Sequence, residues 1–142
     1  MKNLYKSALS LSFLSLFVAF AIGSGEDETT KEANEKLSKD AIEVSANDLL
    51  SQLESNSVKF MKNYKDETLE VTGKITGFDT GLSDNDVIIK IGSGYDYVRC
   101  TIVKDQQDKA AEYSKGQSIT IKGICNGEIM GSPMMKSCII VK

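Results

Sequence analysis

From Thr68 onward the chain keeps returning to a two-residue alternation, in TLEVTGKITGF, VIIKIG, YVRCTIV, SITIKGICNGEI and SCIIVK. That period sends successive side chains to opposite faces of a strand, so each segment has one apolar face to bury. Leu69, Val71 and Ile75 share a face of the first segment, and Val98, Cys100 and Ile102 share a face of the third. Gly73 interrupts the first segment, as glycine does where a strand bends tightly around a small barrel. DTGLSDND and GSGYD supply turns between the first three strands. KDQQDKAAEYSKGQ is helix-compatible and separates the third strand from the last two.

Three meandering strands, a short helix and a final hairpin predict a mainly β domain. The order is that of a five-stranded Greek-key barrel, the OB-fold, with its short helix between strands three and four. A seven-stranded sandwich does not fit in the same span. Ahead of the strands, Leu49, Leu50, Leu53, Phe60, Met61 and Tyr64 recur at three- and four-residue steps. The spacing predicts one helix that packs on the domain. Ser45, with Asp48 three residues on, forms a loose capping box at its start.

The N-terminal part follows different rules. MKNLYK carries two lysines and leads into an uncharged apolar run, with Ala19 and Ala21 at the positions that a signal peptidase reads. Residues 1–21 are expected to be an export signal, cleaved between 21 and 25. An uncleaved N-terminus would instead be a membrane anchor, although the run is short of the roughly 20 residues needed to span a bilayer. Residues 22–44 are highly charged and poor in large apolar side chains, so we expect a flexible tether. Residues 45–142 remain as the folded domain. Loss of Lys2 and Lys6 leaves 15 basic against 20 acidic side chains, a net charge of −5. That sign disfavours nonspecific binding to a phosphate backbone.

The stretch containing Asn56, Tyr64, Lys65, Val71 and Gly73, followed by VRC at 98–100, KGQSITIKGICNG at 115–127 and SCII, resembles the tRNA_anti-like family. The likeness runs from about Asn47 to the C-terminus. It implies a small bacterial OB-fold domain that is exported or carried as a lipoprotein. Ser24 stands where a lipidated relative would have cysteine, so the resemblance brings no lipid anchor with it.

Catalytic chemistry finds little to work with. The chain has no histidine, which removes the commonest general base and the usual triads. Its three cysteines lack a Cys-x-x-Cys pair, which argues against zinc and redox catalysis. Asp79, Asp84 and Asp86 lack the ligand spacing and closing glutamate of an EF-hand. No enzyme, cofactor or metal is therefore expected. In an oxidising compartment the cysteines read first as a cross-link. Cys125 and Cys138 lie on the two strands of the final hairpin, and Cys100 with Cys138 is the rival pairing.

A binding surface remains. Tyr95, Tyr97 and Arg99 alternate onto the side of strand three opposite its inward set, on the usual ligand face of this fold. Met130, Met134 and Met135 sit in a final loop that suits a plug for the barrel mouth. These features predict an exported binding module that contacts an envelope protein, peptide or glycan. The alternative is a single-stranded oligonucleotide binder. Intact-mass measurement on protein from its native host should show loss of the first 21 to 25 residues; a full-length mass would remove the export reading.

Overall fold

In the computed structural model the described residues are 28–142 apart from Asp84, so the expected signal segment and its cleavage point lie outside them. The chain runs through α1 (Glu28–Leu37), β1 (Ile42–Ser45), α2 (Ala46–Ser55), α3 (Ser57–Tyr64), β2 (Thr68–Thr80), β3 (Val87–Ser93) and β4 (Asp96–Ile102). A single 3-10 turn at Lys104–Gln106 then leads into α4 (Gln107–Ala110), β5 (Ser118–Ile129) and β6 (Ser132–Ile140). The strands form one sheet in the order β1-β2-β3-β4-β6-β5, and β5 returns to β2. That last pairing closes a five-stranded barrel. β4 and β6 run parallel while the other barrel neighbours are antiparallel, which is the Greek-key connectivity of an OB-fold.

β2 closes the barrel by changing partners along its length. Thr68 to Lys74 pair with β5, and Ile75 to Thr80 pair with β3 across an irregularity between Ile75 and Gly77. Inside, Leu69, Val71, Ile89, Ile91, Val98, Cys100, Ile121, Cys125 and Cys138 are fully buried. The alternation expected from the sequence is therefore the alternation of the core. Gly73 lies where the barrel wall meets α2. A β-carbon there would stand 2.6 Å from Ile91 Cγ2 and 2.9 Å from the Ala46 β-carbon.

The predicted single helix is two. Asn56 leaves the helical region (φ −164°, ψ 95°), donates its N–H to the Gln52 carbonyl and accepts from the Lys59 N–H at 2.9 Å through Oδ1. Its short amide offers the backbone an alternative to continuing the helix, and so starts α3. Ser45 caps α2 as expected, its Oγ accepting from the Asp48 N–H at 3.1 Å. Leu49, Leu53 and Phe60 bury their side chains, and α2 lies against β1, β2, β3, β4 and β6 across one mouth of the barrel.

The segment read as a flexible tether carries structure from Glu28 onward. β1 pairs in parallel with β2, from Ile42 opposite Leu69 to Ser45 opposite Thr72. The Thr68 hydroxyl donates to the Lys36 carbonyl at 2.9 Å and holds the end of α1. Backbone pairing at an otherwise open edge, which composition does not report, orders these residues. The last strand also begins earlier than expected, so the methionine loop shrinks to a turn at Met130 and Gly131. Of its methionines only Met135 enters the core; Met130 is fully exposed at the tip.

The three cysteines are free and buried. In the final hairpin Cys125 stands opposite Met135, three residues short of Cys138. That offset is roughly 10 Å along a strand, beyond the span of a disulfide. Bulges in the hairpin, which alternation alone does not reveal, set this register. Replacing Gly73 by alanine should cost about 1–3 kcal/mol through overpacking against Ile91 and Ala46, measured by urea unfolding; an unchanged midpoint would mean that α2 is not held against the barrel there.

Candidate functional site

On β4 the outward set is Tyr97, Arg99 and Thr101, because Val98, Cys100 and Ile102 are turned into the core. The antiparallel register with β3 places Gly92 opposite Tyr97, Lys90 opposite Arg99 and Ile88 opposite Thr101. On the far side, β6 sets Met134 alongside Arg99. On the β2 side Gly77 stands opposite Lys90. Gly77 and Gly92 place no side chain beside Lys90 or Tyr97, so the middle of this face is low and the long side chains lie across it.

Lys90 organises the face. Its Nζ lies 5.0 Å from the centroid of the Tyr97 ring, a cation–π contact, and 3.7 Å from Asp79 Oδ2. The Lys90 side chain is about three-quarters covered, whereas the Asp79 side chain is about 44% exposed. A cation over the ring restrains Tyr97. Arg99, the cross-strand partner of Lys90, is half-buried. With Asp79 engaged by Lys90, the patch keeps an excess of positive charge around a half-exposed aromatic ring.

Of the residues expected at this site, Tyr97 and Arg99 share the face. Tyr95 does not: it lies in the β3–β4 turn and is fully exposed. The expectation carried the alternation of strand three back into the GSGYD turn, where Gly94, at φ +67°, already turns the chain. Lys90, which the sequence reading leaves out, belongs to the face, and so do Asp79 and Met134, which it places in an acidic turn and a barrel plug. The signal for Lys90 was present: a lone charged residue inside VIIKIG, at the alternation position that faces outward.

Other concave surfaces have the opposite character. A groove of about 760 Å³ between α2 and the β1–β2 edge is lined by Glu43, Asp48 and Glu70, with Lys142 as its one cation. A second groove, of about 420 Å³, lies beneath the β3–β4 and β5–β6 turns and carries Glu54, Asp96 and Glu128 with no cation. Charge thus sorts the surface, and the outward face of β3 and β4 is where Lys90 and Arg99 flank an aromatic ring.

The sequence model of the tRNA_anti-like family matches residues 1–139. The chain belongs to the tRNA_anti-like family. No curated protein matches it closely enough to compare. Among solved structures it is similar to a lipoprotein from Klebsiella pneumoniae subsp. pneumoniae described as nucleic-acid-binding, with 16% identity and a TM-score of 0.58, covering 70% of this chain and 92% of that one. A weaker likeness, with 11% identity and a TM-score of 0.45, is to asparaginyl-tRNA synthetase from Pyrococcus horikoshii; it covers 55% of this chain and only 20% of the synthetase. At 16% identity the likeness to the lipoprotein shows a shared fold.

The likeness to the lipoprotein overturns the expected partner. A protein, peptide or glycan of the envelope was expected and nucleic acid was disfavoured, yet the lipoprotein of the same fold is described as nucleic-acid-binding. The argument from net charge averages over the chain. Six of the carboxylates line the two grooves, away from Lys90 and Arg99.

Proposed function

We propose that this chain binds single-stranded nucleic acid on the outward face of β3 and β4. The observation that carries the reading is the arrangement of Lys90, Tyr97 and Arg99: an aromatic ring with one cation over it and a second two residues along the same strand. An unpaired base presents a π-face that can stack on Tyr97, while its flanking phosphates reach Arg99 and Lys90. Met134, next to Arg99, offers a polarizable apolar contact for a neighbouring base. The two acidic grooves repel phosphate, which keeps the strand on this face.

Membership of the tRNA_anti-like family and the similar lipoprotein support the same reading. We take the protein to be a non-catalytic binding domain, since the chain offers no histidine to act as base or nucleophile. We take its place of action to be the cell envelope, on the make-up of residues 1–21 and on the lipoprotein relative.

Binding of a fluorescein-labelled oligothymidylate, followed by anisotropy across a range of salt concentrations, tests the reading. Tyr97→Ala should weaken binding about tenfold, the loss of one stacked base. Arg99→Ala and Lys90→Ala should each flatten the dependence of log affinity on log salt by about 0.7, as for one phosphate contact on a single strand. The double change Tyr97→Ala with Arg99→Ala should abolish measurable binding. Variants that bind as the parent does, or binding insensitive to salt, would overturn the reading.

A further inference from the structure

A third groove, of about 360 Å³, differs from the two acidic ones. It opens where β2 passes from β5 to β3, beside the start of α2, and no carboxylate among the described residues lines it. Its one cation is Lys74, which is exposed and makes no ion pair among the described residues. Val71 and Ile75 are turned into the core, so Lys74, next to Ile75, lies on the outward side of β2. Its partner on β5 is Ser118, and Gly92 and Ser93 of β3 line the groove with it. Two of the lining hydroxyls are already engaged, Ser45 with Asp48 and Thr72 with Thr120. Lys74, Ser93, Ser118 and the Asn47 amide supply the other side-chain donors.

The groove adjoins the face that carries Tyr97. Gly92 belongs to both: it lines the groove and stands directly opposite Tyr97 in the β3–β4 pair. That position has to be bare, since a β-carbon at Gly92 would stand 2.9 Å from Tyr97 Cα. Ile75 pairs with Ile91, so Lys74 and Gly92 come next along β2 and β3. Neighbouring strands lie about 4.8 Å apart, which puts Lys74 on β2 and Tyr97 on β4 roughly 10 Å from each other at the backbone. Between them β3 presents only the backbone of Gly92. The acidic grooves border this one on both sides, sharing Ser45 and Thr72 with the first and Asn47 and Ser93 with the second. Lys74 therefore marks a cationic opening between two surfaces that repel phosphate.

We propose that this groove is a phosphate site of the nucleic-acid interface, in which Lys74, with the Ser93 and Ser118 hydroxyls, holds the phosphodiester next to the base on Tyr97. The proposal rests on the reading that a single strand stacks on Tyr97, and it adds where that strand goes: from Arg99 and Lys90, past Gly92, across β3 and on to β2. A lysine ammonium is a point charge with three donors, and a hydroxyl rotates to suit its acceptor, so the set matches phosphate oxygens. Contacts of this kind position the backbone and carry no sequence information. The volume falls at the lower end of the range for ligand pockets, about 300–1,000 Å³.

Anisotropy of a fluorescein-labelled oligothymidylate over a range of salt concentrations, with the full chain, tests the groove. Lys74→Ala should flatten the dependence of log affinity on log salt by about 0.7, the loss of one phosphate contact on a single strand. Lys74→Arg should keep the parental slope. So should Lys62→Ala, which removes the same charge from the exposed side of α3. A parental slope for Lys74→Ala, with Tyr97→Ala still weakening binding, would overturn the groove and leave the stacking face standing. Equal flattening by Lys62→Ala would also overturn the groove, because net charge alone would then account for the effect. A parent chain that binds no oligothymidylate would overturn both.

Discussion

Closure of the barrel depends on one strand having two partners. β2 hydrogen-bonds to β5 through its first half and to β3 through its second, and the irregularity between Ile75 and Gly77 lets it bend from one to the other. Without that change of partner the five strands would form an open sheet with two exposed edges and half the interior side chains in water. The same bend fixes which side of β3 and β4 faces outward. The proposed binding face is thus a by-product of closure: burying Val98 and Cys100 forces Tyr97 and Arg99 out.

Cross-strand register then does the chemical work. Lys90 meets Arg99 because β3 and β4 pair with no bulge, and it reaches Tyr97 because the diagonal neighbour across a strand pair lies within range of a long side chain. Two like charges directly opposite one another are ordinarily unfavourable. Here Asp79 and the Tyr97 ring each take up part of the Lys90 charge. A phosphate would relieve the remainder. On this account binding relieves an electrostatic cost that folding has already incurred, and specificity for a particular base is not built into the face.

Much of this was legible in the chain. Period-two alternation gave the strands and their inward faces, and the single helix-compatible stretch before the last hairpin gave the topology. Ser45 marked its helix start through a local hydrogen bond that involves residues three apart. What stayed hidden is non-local or register-dependent. β1 forms because β2 has a free edge, not because Ile42 to Ser45 form a strand unaided. Asn56 divides the helix by a cap that the surrounding apolar periodicity masks. That Cys125 stands opposite Met135 and not Cys138 is decided by bulges in the hairpin. Lys90 could be seen as a charge in a strand, but its place beside Tyr97 needed the pairing of β3 with β4. Net charge is silent for a related reason, since a sum over the chain carries no information about where the charges sit.

The central claim is that nucleic acid binds across Lys90, Tyr97 and Arg99. Titrating isotope-labelled protein with a short oligothymidylate and following amide chemical shifts tests it residue by residue. The account predicts that the shifts concentrate on β3 and β4 around Lys90, Tyr97 and Arg99 and on β6 at Met134, with Glu43, Asp48 and Glu70 unmoved. Shifts centred on the α2 groove, or a spectrum that does not change at all, would contradict it.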